Sequence, residues 1–68
     1  MSKTVVTKNT SKEFERACTL LQCSFGCVIK DNGDTLEIYA FFNGDSDVII
    51  DTLLQYDVVV LETGCIVL

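Results

Sequence analysis

The dipeptide Asn32-Gly33, flanked by Asp31 and Asp34 and set between two runs of alternating apolar residues, constrains this chain more than any other feature. A two-residue type I′ turn needs positive φ at both central positions, and Asn-Gly meets that need at little steric cost. The sequence therefore predicts a β-hairpin in which Asp31 pairs with Asp34. In that register Ile29 faces Leu36, Cys27 faces Ile38 and Phe25 faces Ala40, so one side carries six apolar side chains. The other side pairs Lys30 with Thr35, Val28 with Glu37, Gly26 with Tyr39 and Ser24 with Phe41.

Helices are expected on both sides of the hairpin. Thr10 followed by Glu13 has the form of a capping box, in which each side chain takes the other's free backbone N–H. Phe14, Ala17, Cys18 and Leu21 then recur at helical spacing as one apolar stripe. After the hairpin, Asn43-Gly44-Asp45 breaks the strand, and Asp45 or Ser46 can cap a second helix with Asp47 in its electropositive first turn. Ile49, Ile50, Leu53 and Leu54 form its expected buried face, with Asp51, Thr52 and Gln55 on the polar one.

The β-branched runs Thr4 to Thr7 and Val58 to Leu61 read as terminal strands. Glu62-Thr63-Gly64 reads in two ways: as a hairpin loop that returns residues 65 to 68 as a fifth strand, or as a bulge at Gly64 within one long strand. The hairpin is preferred. The element order is β-α-β-β-α-β with an extra C-terminal strand, an α+β pattern of the ferredoxin-like or split βαβ kind: an antiparallel sheet with two helices on one face. That arrangement makes the first strand central. Lys3 to Lys8 is the least apolar strand of the set, so an edge or arm is the alternative.

With 68 residues the chain is one domain, residues 1–68. A domain this small buries only about 60% of the surface its unfolded chain exposes, so it has one thin core and little room for an enclosed cleft. Met1-Ser2-Lys3-Thr4 does not open a secretory leader, and no apolar run approaches the roughly twenty residues of a membrane span, so a cytoplasmic protein is expected.

The chemistry-bearing residues are few. No histidine is present, which removes Ser-His and Cys-His nucleophile pairs and the usual near-neutral general base. Cys18, Cys23, Cys27 and Cys65 lack the paired Cys-x-x-Cys spacing of structural zinc sites. Cys18 and Cys27 fall on predicted core faces, where a thiol behaves as a small hydrophobe. No enzyme activity, no metal and no cofactor are expected.

Phe25-Gly26-Cys27-Val28 resembles part of the aromatic strand motif of RNA-recognition modules. The likeness covers four residues and falls on the second strand, where that family has it on the third. A net charge of -5 opposes phosphate binding, so direct nucleic-acid binding is not expected.

Charge distribution is the strongest functional signal. All five basic residues, Lys3, Lys8, Lys12, Arg16 and Lys30, lie in the first thirty positions, whose acids are Glu13 and Glu15. From Asp31 onward there are eight acids and no base. Asp45, Asp47, Asp51, Asp57 and Glu37 are the candidate recognition acids, with Tyr39 and Phe41 as aromatics on the outer sheet face. In size and charge the chain resembles the many very short acidic proteins encoded by bacterial viruses. The expectation is a non-enzymatic regulatory module that binds another protein with a basic surface, as an inhibitor covering a nucleic-acid channel does. The alternative is a small-ligand-sensing or structural homodimer, to which the uncharged Ile66-Val67-Leu68 end would contribute a sticky strand.

Overall fold

The computed structural model describes residues 1–42 and 45–66. Its elements are β1 (Ser2–Thr7), α1 (Lys12–Ser24), β2 (Val28–Asp31), β3 (Thr35–Ala40), α2 (Asp45–Leu53), a single 3-10 turn (Leu54–Tyr56) and β4 (Val60–Cys65). The fold is α+β, with four antiparallel strands in the order β2-β3-β1-β4 and two helices.

Each helix forms where its apolar stripe is. In α1, Phe14, Ala17 and Leu21 are buried, and in α2, Ile49 and Leu53. They close over the sheet face that carries Val6 of β1 and Leu36, Ile38 and Ala40 of β3. Leu21, Ile38, Ile49 and Leu53 are fully buried; each such side chain contributes about 1.5–3 kcal/mol of transfer free energy. Tyr56 meets Phe14 edge to face, with ring centroids 6.2 Å apart.

The hairpin forms, but its register differs from expectation by two residues. Val28 pairs with Tyr39, Ile29 with Ile38, Lys30 with Glu37 and Asp31 with Leu36. The turn therefore centres on Gly33 and Asp34, with Gly33 at φ +91 and the Asn32 N–H donating to the Thr35 carbonyl at 2.9 Å. Asp31 steers this choice, because its carboxylate accepts the Gly33 N–H at 2.8 Å. A slip of two residues keeps each side chain on its own face, so the inward positions survive. Phe25 is no strand residue, however: it caps α1, and Gly26 at φ +64 turns the chain toward β2.

The cap of α1 also moves by one residue. The Ser11 Oγ, not Thr10, accepts the Phe14 N–H at 3.2 Å, because Asn9 Oδ1 accepts the Ser11 N–H at 2.8 Å and sets its position. Leu54 is 52% exposed rather than buried, since it leaves the α-helix for the tighter 3-10 turn.

β1 is central, between β3 and β4, despite its polar composition, which removes the edge-or-arm alternative. Ser2 and Thr4 are buried as a result, and neither hydroxyl has a hydrogen-bond partner. At the C-terminal side, Glu62-Thr63-Gly64 is no turn. Those residues continue β4, pairing with Val5, Thr4 and Lys3, and Cys65 pairs with Ser2. The irregularity lies at Leu61, where the ladder shifts between Val5 and Val6, so the bulge is there and not at Gly64. The expected fifth strand over 65–68 thus loses Cys65 to β4, and residues 67–68 lie outside the described residues.

Candidate functional site

The folding of the two halves onto each other sorts the acids into two groups. Lys8 of the segment after β1 donates to Asp31 at 2.6 Å. Lys3 on β1 sits 3.2 Å from Glu37, and Lys30 on β2 lies 3.9 Å from the same carboxylate. The Lys8 and Gly33 donors hold Asp31 below its ordinary pKa. Glu37 is also held low, first by the Asn32 side chain and then by Lys3.

These pairs leave the outer sheet face balanced. Its cross-strand rows read Val28, Tyr39, Lys3, Gly64 and then Lys30, Glu37, Val5, Glu62. Two lysines thus stand among two glutamates, and Lys3 is raised in pKa, mainly by its hydrogen bond to Glu37. Glu37 belongs to this face and is neutralised there, so it does not join the other candidate acids. Tyr39 stands half-buried between Val28 and Lys3, where Gly26 was expected beside it. Phe41 lies just beyond the end of β3, 54% exposed.

The remaining candidates follow α2. Asp45 and Asp47 occupy the first turn, where the helix N-terminus favours negative charge. Asp45 is half-buried and close enough to Cys27 for its charge to raise that thiol's pKa, secondary to burial. Asp47 and Asp51 are exposed one turn apart. Like charges at that spacing cost an isolated helix about 0.2–0.5 kcal/mol. Asp57 follows the 3-10 turn in the left-handed conformation at φ 59, which aspartate tolerates better than most residues, and swings the chain toward buried Val58. The Asn9 amide, donating to the Tyr56 carbonyl, ties this corner to the start of α1. None of these four aspartates has an ion pair among the described residues. Eleven residues lie between Asp45 and Asp57, so the set is no cluster: Asp47 and Asp51, one turn apart, form an exposed ridge on α2, Asp45 is half-buried on another side of the helix, and Asp57 lies beyond its end.

Two apolar neighbours of this ridge were not singled out from sequence. Phe42 is 72% exposed and Val48 41%. Strand alternation gave no signal for the first: continued past Ala40 it would turn Phe42 inward, but β3 ends at Ala40 and both Phe41 and Phe42 are exposed.

Cys27 is in the core, and Cys18 packs against it with its thiol pushed up by burial. Cys23 and Cys65 are exposed free thiols. Among the described residues no three His, Cys, Asp or Glu side chains are grouped to hold a metal ion, and no helix is long and apolar enough to cross a membrane. Compared with protein-family models, curated proteins and solved structures, the chain finds no match. Its functional reading therefore rests on its own geometry.

Proposed function

We propose that this is a non-enzymatic, cytoplasmic regulatory module that docks on a basic surface of another protein through the acidic ridge of α2. The observation that carries the reading is the sorting of charge. Asp31 and Glu37 are occupied by lysines from the N-terminal half, whereas Asp45, Asp47, Asp51 and Asp57 have no ion pair among the described residues. Val48, between Asp47 and Ile49, gives the ridge an apolar contact. Phe41 and Phe42 add aromatic surface before α2, of the type enriched at protein interfaces. A partner whose basic surface normally holds nucleic acid fits this charge pattern, and occupying it makes the module an inhibitor.

The ferredoxin-like assignment of the sheet belongs to the same proposal. Its support is that β1 and β2 run in one direction with β3 between them, joined through α1, and that β3 and β4 do the same around β1, joined through α2.

The test is affinity capture of the partner with the wild-type chain and with the double variant Asp47→Lys/Asp51→Lys, washed in rising salt. Capture is expected to fail for the variant and to fade for wild type by about 0.5 M salt, where the screening length is about 4 Å. Equal capture by both chains, with the variant still folded, refutes the ridge. The rival homodimer reading draws on Val28, exposed beside Tyr39 on the outer sheet face. A sedimentation coefficient that stays monomeric across a concentration series removes it.

A further inference from the structure

A groove of about 550 Å³ runs between α1 and the edge strand β2, on the far side of α1 from α2. Phe14, Cys18, Ile29 and Leu36 form its apolar floor, and its charged rim holds two acids, Glu15 and Asp31, and one base, Lys8. We propose that this groove and the β2 edge together bind an extended segment of a basic partner protein. The segment adds antiparallel to β2 as a fifth strand, with an apolar side chain opposite Ile29 and a Lys or Arg opposite Asp31.

The backbone argument follows from the observed register. Because the Asn32 N–H donates to the Thr35 carbonyl, Asn32 and Thr35 form a hydrogen-bonded pair. Such pairs alternate along an antiparallel ladder. Lys30 and Val28 therefore direct their backbone groups to β3, and Ile29 and Asp31 direct theirs outward, to the free edge. The same two residues have their side chains in the groove. Residues directly opposite each other in a sheet share a face. Any residue that exchanges both hydrogen bonds with Ile29 thus sends its own side chain over Phe14, Cys18 and Leu36. An extended ligand pairing at this edge is read by an apolar slot at alternate positions, the combination that strand-adding recognition domains use.

Charge decides the second position. The residue opposite Asp31 precedes the apolar one by two, and its side chain enters the end of the groove that Asp31 and Glu15 line. Lys8 already pairs with Asp31 at 2.6 Å, so Glu15, which has no ion pair among the described residues, is the acid left to receive the incoming base. The intervening residue lies on the outer face next to Lys30, where a third base is disfavoured. The motif is therefore basic, neutral or acidic, apolar.

A second copy of this chain fits the edge less well. The symmetric registers set Asp31 against Asp31, or lay Asp31 over the apolar floor, or call on Cys27, whose N–H already donates to the Leu21 carbonyl at 3.3 Å. The opposite edge is a poorer template, because the shift at Leu61 interrupts the ladder of β4. The groove shares with the acidic ridge only the basic character of the partner, and each surface stands without the other.

The test uses the full chain labelled with nitrogen-15 and the capped hexapeptide threonine-lysine-threonine-leucine-threonine-valine. Saturable amide shifts are expected at Ile29, Asp31 and Cys18, with slowed hydrogen exchange of the Ile29 and Asp31 amides. N-methylating the leucine amide, or replacing leucine by serine, is expected to weaken binding about tenfold or more. Replacing lysine by glutamine should weaken it several-fold and remove most of its salt dependence. These changes are all in the peptide, so the folding of the protein does not enter; Cys18→Phe, which fills the groove, gives the complementary result. Shifts confined to α2 or β4, an N-methylated peptide that binds as well as its parent, or no saturation by about 1 mM peptide overturns the proposal. So does a dimer in sedimentation that alone accounts for the change at Ile29. Shifts at α2 with none at β2 would leave the acidic ridge standing and remove the groove.

Discussion

Replacing Thr4 by valine should make this protein more stable, although it removes a polar side chain from the most polar strand. Thr4 is fully buried at the centre of the sheet, paired with Ile38 on one side and Thr63 on the other, and its Oγ1 has no hydrogen-bond partner. Burying a hydroxyl without a hydrogen bond costs about 1–3 kcal/mol by the measure of protein substitutions. Valine keeps the β-branched shape and strand propensity and puts a methyl group where the hydroxyl stood. The expected gain is therefore about 1–3 kcal/mol, and each kcal/mol raises the melting temperature of a domain this size by about 4–8 °C. The assay is urea unfolding followed by circular dichroism, where a higher midpoint at unchanged slope marks a change in stability alone. An unchanged or lower midpoint refutes the reasoning, because it means the native state satisfies that hydroxyl.

Further outcomes follow from other positions. Ile38→Ala should cost about 2–5 kcal/mol in the same assay, since the side chain is fully buried at the centre of the core; a loss under 1 kcal/mol would mean the core is not where it is described. Gly26→Ala should cost about 1–2 kcal/mol from backbone strain at φ +64, because no atom lies within 4 Å of the added carbon to clash with it. Asp31 and Glu37 both have depressed folded-state pKa values, so their contribution is present above the ordinary carboxylate range and is lost as pH falls through the depressed values. Wild type should lose stability through that acid range more steeply than Asp31→Asn/Glu37→Gln, and parallel curves would contradict the ion pairs.

Much of the local structure was legible in the chain. Phe14, Ala17 and Leu21 mark the buried stripe of α1, Ile49 and Leu53 that of α2, and Leu36, Ile38 and Ala40 the inward face of β3. These follow from periods of 3.6 and 2, which act within a few residues. The hairpin shows the limit of such reasoning. Its inward face was readable because an even slip does not change it, while its register turned on the Asp31 carboxylate accepting the Gly33 N–H. Of the candidate site residues, Asp47 and Asp51 share an exposed stretch of α2 by spacing alone. That Glu37 is ion-paired on the outer sheet face, apart from those aspartates, was not legible, because the lysine nearest to it belongs to β1.

By itself the sequence determined two amphipathic helices, a hairpin between them, the lack of any histidine and a charge split between its halves. Only the tertiary structure decided that polar β1 lies at the centre, that residues 62 to 64 continue β4, and which acids remain unpaired. The reason is range. Propensity and periodicity are properties of neighbouring residues, whereas strand order and ion pairing depend on burial summed over segments such as Lys8 and Asp31, 23 positions apart. The charge split along the chain is a local fact, and folding the basic half against the acidic half is what leaves negative charge along α2.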